Sequence, residues 1–89
     1  MNIEIYSKSN CGFCTKAKTL LKAKSIEFQE FIVKDVTNNH MDLNDNQTWI
    51  SREKLMDEFP NARTVPQIKI NGESIGGFEG LVKYLENGN

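Results

Sequence analysis

Two cysteines, Cys11 and Cys14, are the residues of this chain whose type and spacing most directly predict chemistry. An alternating stretch precedes them and a helical pattern begins at Thr15, so Cys11 should lie where a strand gives way to a helix. Unpaired backbone N–H groups and the positive end of the helix dipole favour a thiolate there, and Lys8 adds a cation nearby. Cys14, one turn further on, is close enough to form a small disulfide with Cys11. This pattern predicts redox chemistry.

A half zinc site and a structural disulfide are the alternatives to a redox-active pair. Zinc normally takes four nitrogen or sulfur ligands, whereas this chain has two cysteines and one histidine, His40. A structural disulfide that closes so short a loop would add little stability and is more typical of a secreted chain. A Cys-x-x-Cys pair between a strand and a helix is a recognised redox signal, which favours the reactive pair.

The composition predicts one small domain that works through local chemistry. The chain has 89 residues and a formal net charge of -1, which gives no electrostatic footprint for nucleic acid or an anionic membrane. No apolar stretch approaches the ~20 residues needed to span a bilayer. Residues 1–7 have the pattern of a strand and not of a signal peptide. We therefore expect a single domain over residues 1–89 in the cytoplasm, where a close cysteine pair is more often catalytic than structural.

The elements on either side of the cysteines should form a parallel βαβ unit. Residues 2–7 alternate as a strand, and Ser9 and Asn10 are candidate N-caps for the helix that follows. Apolar spacing predicts that helix over residues 15–24, and residues 26–33 are predicted to form a second strand. A strand, a helix and a strand in this space make a right-handed crossover.

The middle of the chain has a weaker pattern. Residues 34–48 show neither a helical nor a strand period, and so polar a segment is long for a connection in a small domain. We expect either a mobile loop or a functional feature there. Ser51 should cap a helix over residues 52–59, with Ile50 and Leu55 as its hydrophobic staple.

The last third predicts a β-hairpin and a closing helix. Asn71-Gly72 separates two short strands, residues 67–70 and 73–76, and this dipeptide is a strong hairpin signal. A helix is expected over residues 79–87, with Gly88 as its stop. The free N–H groups at its start are a natural seat for a carboxylate.

Three stretches together resemble the glutaredoxin family. They are Tyr6-Ser7-Lys8-Ser9 before Cys11-Gly12-Phe13-Cys14, then Ala62-Arg63-Thr64-Val65-Pro66-Gln67-Ile68, then Ile75-Gly76-Gly77-Phe78-Glu79. They have the family's order and spacing, and the resemblance covers nearly the whole chain. It implies an α/β, thioredoxin-like fold with a four-stranded mixed sheet in the order 3-1-2-4 and three flanking helices. It also implies an enzyme that uses glutathione to reduce glutathione mixed disulfides and protein disulfides.

The resemblance also implies roles for individual residues. Cys11 matches the nucleophile and Cys14 the resolving thiol. Pro66 matches a cis-proline that frees the Val65 backbone to pair with the cysteinyl part of glutathione. The other implied glutathione contacts are Lys8 and Arg63 near the glycyl carboxylate, Phe13 as an aromatic wall, and Gly77, Phe78 and Glu79 around the γ-glutamyl end.

Two departures from the family pattern bear on these roles. Members commonly have Pro-Tyr between the cysteines, where this chain has Gly12-Phe13. Phe13 keeps the aromatic ring but lacks the tyrosine hydroxyl. Gly12 lowers the helix propensity of the first turn by up to roughly 1 kcal/mol. Many members also have two polar or acidic residues where this chain has Glu79 and then Gly80, which weakens the case for the γ-glutamyl contact.

The Cys-Gly-Phe start is also similar to monothiol glutaredoxins, which bridge iron–sulfur clusters. The alternative function is therefore a carrier, a dimer that holds one 2Fe–2S cluster through Cys11 of each chain and two glutathiones. Those members carry an insertion ahead of the motif, for which Lys8-Ser9-Asn10 leaves no room. The dithiol enzyme, with glutathione as co-substrate and no bound metal, is favoured.

The expected partners follow from this resemblance. They are glutathione and disulfide-containing or glutathionylated proteins, with no nucleic acid and no membrane, and the chain should be a monomer. The polar segment 34–48 and the short chain also resemble phage-encoded glutaredoxins that serve ribonucleotide reductase, which adds that enzyme as a candidate partner.

Overall fold

A computed structural model describes residues 1–87 of the chain. In chain order its elements are β1 (Ile3–Ser7), α1 (Gly12–Ala23), β2 (Gln29–Val33), β3 (Gln47–Ile50), α2 (Arg52–Glu58), β4 (Gln67–Ile70), β5 (Glu73–Gly76) and α3 (Phe78–Glu86). The strands form one sheet in the order β3-β2-β1-β4-β5. Neighbours among β1, β2 and β3 are parallel, while β4 is antiparallel to both β1 and β5. The predicted class, a mixed sheet flanked by three helices, is confirmed.

The strand number and order need correction. Within residues 1–87 the sheet has five strands and not four, because Gln47–Ile50 pairs in parallel with β2. The order 3-1-2-4 placed the last strand beside β2, but β5 pairs with β4. The reason lies in the two-residue turn at Asn71 and Gly72, whose φ angles of 54° and 84° are those of a tight hairpin. That turn keeps β5 on β4 and leaves the free edge of β2 to β3.

The first helix begins earlier than the apolar spacing predicted. It starts at Gly12 and its N-cap is Cys11, so the expected caps Ser9 and Asn10 are wrong. Asn10 instead has a φ of 57°, a left-handed conformation that turns the chain between β1 and the helix. The cap predicted for the second helix is confirmed, because the Ser51 hydroxyl accepts a hydrogen bond from the Lys54 N–H.

The third helix also begins slightly before the predicted start. Its first residue is Phe78 and its N-cap is Gly77, where residue 79 was expected to come first. The stop predicted at Gly88 lies outside the described residues. None of the helices in residues 1–87 is both long enough and apolar enough to cross a membrane.

The core lies on both faces of the sheet. Ile5 of β1 packs with Leu21 of α1 and Leu81 of α3 on one face. Tyr6, the neighbour of Ile5 in β1, is buried with Phe59 on the opposite face, which α2 covers. Burial, with the charges of nearby carboxylates, raises the pKa of Tyr6 to about 12, so its ring stays neutral. A central strand covered on both faces does not alternate in burial.

The polar segment 34–48 is tied to the fold through a buried amide. The Asn38 side chain is fully buried, and its NH₂ group donates to Ser9 Oγ at 2.8 Å and to the Val33 carbonyl oxygen at 2.9 Å. Its amide oxygen accepts the Asp35 N–H at 2.9 Å. Because Ser9 lies two residues before Cys11, this amide holds the loop against the start of α1. His40, in the same segment, is exposed.

A buried carboxylate, Glu30 on β2, joins three elements. Its side chain accepts hydrogen bonds from the Ser7 hydroxyl at 2.6 Å and the Gln47 amide at 2.8 Å, and forms an ion pair with Lys18 at 2.9 Å. Burial alone would raise the pKa of Glu30, but the bonds from Gln47, Ser7 and Lys18 outweigh it and hold that pKa below its usual range. Glu30 is therefore ionised at neutral pH and connects β1, α1 and β3.

Replacing Glu30 with Gln should lower the free energy of unfolding at pH 7 by about 2 kcal/mol, because three donors lose a charged acceptor. The pKa of Glu30 is lower in the folded chain than in the unfolded one. Its stabilising contribution is therefore fully present above the unfolded-state pKa and is lost as the pH falls through the folded-state pKa. Urea unfolding of both proteins across the acidic range measures this.

Glu27→Gln is the matched control, since Glu27 is exposed in the residues before β2. It should change the free energy of unfolding by less than about 0.5 kcal/mol. An equal effect of the two substitutions, or a Glu30→Gln effect that grows as the pH falls, would contradict the role given to the buried carboxylate.

Candidate active site

The two cysteines lie at the N-terminus of α1 and differ in exposure. Cys11 and Cys14 form a disulfide, with their Cα atoms 5.2 Å apart. Cys11 is partly exposed, whereas Cys14 faces the interior and is 2% exposed. One sulfur can therefore meet a substrate and the other is shielded from it.

Cys11 has the environment that the sequence predicted for a strand-to-helix junction. Its Sγ accepts a hydrogen bond from the Cys14 N–H at 3.2 Å, which satisfies one of the free donors at the start of α1. Its carbonyl oxygen accepts the Thr15 N–H at 3.1 Å. A sulfur in this position is stabilised most when it carries negative charge, because both the donor and the helix dipole are directed at it.

A second chain segment approaches Cys11 from the sheet. The Val65 carbonyl oxygen lies 3.6 Å from Cys11 Sγ, in the residues just before β4. The Val65–Pro66 peptide bond is cis, as the resemblance implied. Since β4 pairs antiparallel with β1, the residues before β4 and the residues after β1 meet at one end of the sheet. This topology brings Val65 and Cys11 together across 54 positions of sequence.

An aromatic surface stands beside the cysteines. Phe13 is 57% exposed, and its ring centroid lies 6.1 Å from that of Phe78 at the start of α3. The Lys16 ammonium lies 5.0 Å from the centroid of the Phe13 ring. The first turns of α1 and α3 therefore meet through these two rings, and an apolar wall stands next to the redox pair.

Close packing places the start of α3 against the sheet. A Cβ atom on Gly77 would lie 3.2 Å from the Pro66 carbonyl oxygen, and one on Gly80 would overlap the Ile75 carbonyl oxygen. In the sequence, Gly80 indicates the loss of a polar contact to the γ-glutamyl end. In the structure, no side chain fits at this position, because the Ile75 backbone lies against it. Glu79 is exposed in this first turn.

One groove is lined by the cysteines and a second lies next to it, and Lys8 lines both. The first, of about 570 Å³, contacts Cys11, Cys14 and the ion pair of Lys18 with Glu30. The second, of about 560 Å³, lies beyond Val65, and we call it the Val65 groove. It is lined by Lys8, Val33, Lys34, Asp35, Arg52, Leu55, Met56, Phe59, Ala62, Arg63, Thr64, Val65 and Gln67. A somewhat larger cavity of about 640 Å³ is lined by neither cysteine.

The structure brings together most of the residues singled out in the sequence. Lys8, Arg63 and Val65 share one groove beside Cys11, while Phe78 is joined to the site through Phe13. Lys34 and Arg52 also line this groove, although no motif pointed to them, because the end of β2 and the start of α2 become neighbours only in the fold. In residues 1–87, no group of three or more His, Cys, Asp or Glu side chains could hold a metal ion.

Comparison with known proteins agrees with this geometry. The family model for glutaredoxin matches residues 3–75. Glutaredoxin 3 of Escherichia coli is 35% identical over 80 residues, which are 90% of this chain and 81% of that protein. The crystal structure of glutaredoxin 1 from Francisella tularensis, complexed with cacodylate, has a TM-score of 0.71 at 29% identity and covers 97% of this chain and 93% of its own.

A buckwheat glutaredoxin crystallised with glutathione shares the fold, with a TM-score of 0.67 at 22% identity over 97% of this chain and 69% of that one. The thioredoxin-like fold implied by the sequence is therefore confirmed. With the Cys11–Cys14 disulfide, the matches identify a thiol–disulfide oxidoreductase. Because the family model spans most of the sequence and a relative above 30% identity aligns over most of its length, this chain belongs to the glutaredoxin family.

Proposed function

We propose that this oxidoreductase depends on glutathione and reduces both glutathione mixed disulfides and protein disulfides. The observation that carries the proposal is the inequality of the two sulfurs, since Cys11 is accessible at the helix start and Cys14 is buried behind it. The Val65 groove and the aromatic surface beside Cys11 support a peptide-like thiol as the second reactant. The buckwheat glutaredoxin binds glutathione in the same fold.

Glutathione mixed disulfides require Cys11 alone. The Cys11 thiolate attacks the glutathionyl sulfur, a Cys11–glutathione disulfide forms, and the substrate thiolate leaves and takes a proton from solvent. A second glutathione thiolate then attacks the bound glutathionyl sulfur. Glutathione disulfide is released with its new S–S bond, and Cys11 returns to the thiolate.

Protein disulfides require both cysteines. The Cys11 thiolate opens the substrate disulfide and forms a mixed disulfide with one substrate sulfur. The other substrate sulfur is released as a thiol in this step. Cys14 then loses its proton and attacks Cys11 Sγ, so the internal disulfide forms and the substrate sulfur that was bound to Cys11 leaves as a thiol. This product is the disulfide that the structure contains. Two glutathiones reduce it in turn and become glutathione disulfide.

Glutathione is proposed to lie between the Val65 groove and the start of α3. The Val65 backbone would pair with its cysteinyl part, while Lys8 and Arg63 would attract its glycyl carboxylate. The γ-glutamyl end would lie at Gly77, Phe78 and Glu79, where the free N–H groups of α3 favour a carboxylate. The exposed ring of Phe13 would cover the bound thiol.

Single substitutions of the two cysteines should have unequal effects. Cys11→Ser should abolish both activities, because no thiolate remains at the helix start. Cys14→Ser should retain most turnover of a glutathione mixed disulfide and lose most reduction of a protein disulfide. Steady-state assays of both reactions, with insulin as the protein disulfide, measure this.

Circular dichroism of both serine variants is the control for an intact fold. Activity that survives Cys11→Ser would assign the nucleophile elsewhere. Deglutathionylation that disappears in a folded Cys14→Ser protein would show that the second thiol is required in both reactions, against the proposed roles.

Lys8→Ala and Arg63→Ala should each raise KM for a glutathione mixed disulfide more than they lower kcat. These cations would attract the glycyl carboxylate equally in the ground state and the transition state, so their loss removes uniform binding. The increase in KM should be a few-fold at low salt and should shrink in 0.5 M salt, because exposed charges are screened.

Lys83→Ala is the matched control, since Lys83 is exposed on α3 and lines neither groove beside the cysteines. Its kinetics should equal those of the parent protein. If Lys8→Ala and Arg63→Ala also match the parent at low salt, the glycyl carboxylate does not lie between these two residues.

A further inference from the structure

The Val65 groove extends past the residues proposed for glutathione. Lys34 and Arg52 line it together with Val65, and both also line an adjoining groove of about 370 Å³ beside Trp49 and Glu53. The two grooves therefore adjoin at Lys34 and Arg52. A path leads from Val65, whose carbonyl oxygen contacts Cys11 Sγ, to the start of α2.

The Val65 groove is strongly positive, while the adjoining groove adds one carboxylate, Glu53, to the lining of the path. Four cations line the Val65 groove, namely Lys8, Lys34, Arg52 and Arg63, and Asp35 is its one carboxylate. The Asp35 carboxylate already accepts the Thr37 N–H at 2.7 Å and the Thr37 hydroxyl at 2.6 Å. The ion pairs found in residues 1–87 involve none of these four cations. Since the whole chain has a net charge of -1, the positive charge is a local property of this face.

The wall between the cations is apolar. Leu55 and Met56 of α2 line it, and Met56 is 59% exposed. An exposed methionine in a groove that is also lined by cations outside the ion pairs of residues 1–87 suits a ligand that alternates apolar and acidic side chains. A ligand of that kind has the chemistry of a peptide.

Glutathione does not account for the far part of the path. It is a tripeptide, and its placement above uses Val65, Lys8 and Arg63 for its cysteinyl and glycyl parts. Lys34 and Arg52 are left without a proposed contact to glutathione, and the Lys34 ammonium lies 5.5 Å from the centroid of the Trp49 ring. An extended peptide covers about 3.3 Å per residue, so a longer segment that carries a disulfide cysteine would continue towards them.

We propose that the Val65 groove and its continuation dock an acidic, extended segment of a protein substrate beside its disulfide cysteine. The inference rests on the proposed reduction of protein disulfides by Cys11 and names the class of segment that this reaction prefers. Charge complementarity of this kind raises the association rate and selects among partners.

The test compares two peptide disulfides as substrates of the fully reduced protein in a single turnover, with no glutathione present. Each peptide has an internal disulfide between two cysteines, flanked by alternating Glu and Leu in one peptide and by Gln and Leu in the other. At low salt the second-order rate constant for the Glu peptide should exceed that for the Gln peptide by about fivefold. This preference should largely disappear in 0.5 M salt.

Substitutions of the two far cations should remove the preference. Lys34→Gln and Arg52→Gln should each reduce it, and the double variant should abolish it. Turnover of the mixed disulfide of cysteine and glutathione should change by less than about twofold in the same variants. The control is a double variant of two exposed lysines outside the path, Lys24→Gln with Lys83→Gln, which should keep the full preference.

Each outcome decides the proposal. Equal rates for the two peptides, or a preference that persists in the double variant, would overturn the docking site. An equal fall for the peptide and the small glutathione substrate would assign Lys34 and Arg52 to glutathione and overturn it as well. A parent protein that prefers the Glu peptide but does not turn over the glutathione substrate would support the docking site and contradict only the glutathione dependence.

Discussion

The hydrogen bond from the Cys14 N–H to Cys11 Sγ is the contact on which the rest of the site depends. A helix start leaves backbone donors without partners, and here the side chain that accepts one of them is also the sulfur that we propose as the nucleophile. The same bond makes the cysteines unequal. Because Cys11 caps α1, it stays at the surface, and Cys14 falls one turn into the helix, where it is buried. The cap at Cys11, the proposed activation of its sulfur and the burial of Cys14 all follow from a single local geometry.

The sheet determines what faces this cap. β1 lies at its centre, is covered on both faces, and ends directly before the cysteines. Pairing with β4 brings Val65 to Cys11, while the buried Asn38 amide holds the polar segment against Ser9. The ionised Glu30 connects β1, α1 and β3 under the first groove. Rigid elements therefore fix the cysteine pair, and the groove walls come from segments that are distant in sequence.

How much the sequence revealed depended on whether the signal was local. The cysteine pair, the Asn71-Gly72 hairpin and the Ser51 cap are short-range patterns, and the structure has all three. The start of α1 was placed too late, because the apolar spacing begins only at Thr15, and its cap was misassigned, because Ser9 and Asn10 are better caps by propensity than Cys11. The strand at Gln47–Ile50 exists through pairing with β2, which no local pattern reports. The positive lining of the Val65 groove could not be predicted either. Lys34 and Arg52 are 18 positions apart in the sequence and come to line the same groove only in the folded chain.

The central claim is that the fold makes Cys11 the one reactive thiolate and keeps Cys14 shielded. Alkylation of the reduced wild-type protein with iodoacetamide at about pH 6, followed over time by peptide mass mapping, tests it directly, because the thiolate is the form that reacts. The predicted result is carbamidomethylation of Cys11 while Cys14 remains unmodified. Labelling of both cysteines at the same rate, or of Cys14 first, would contradict it.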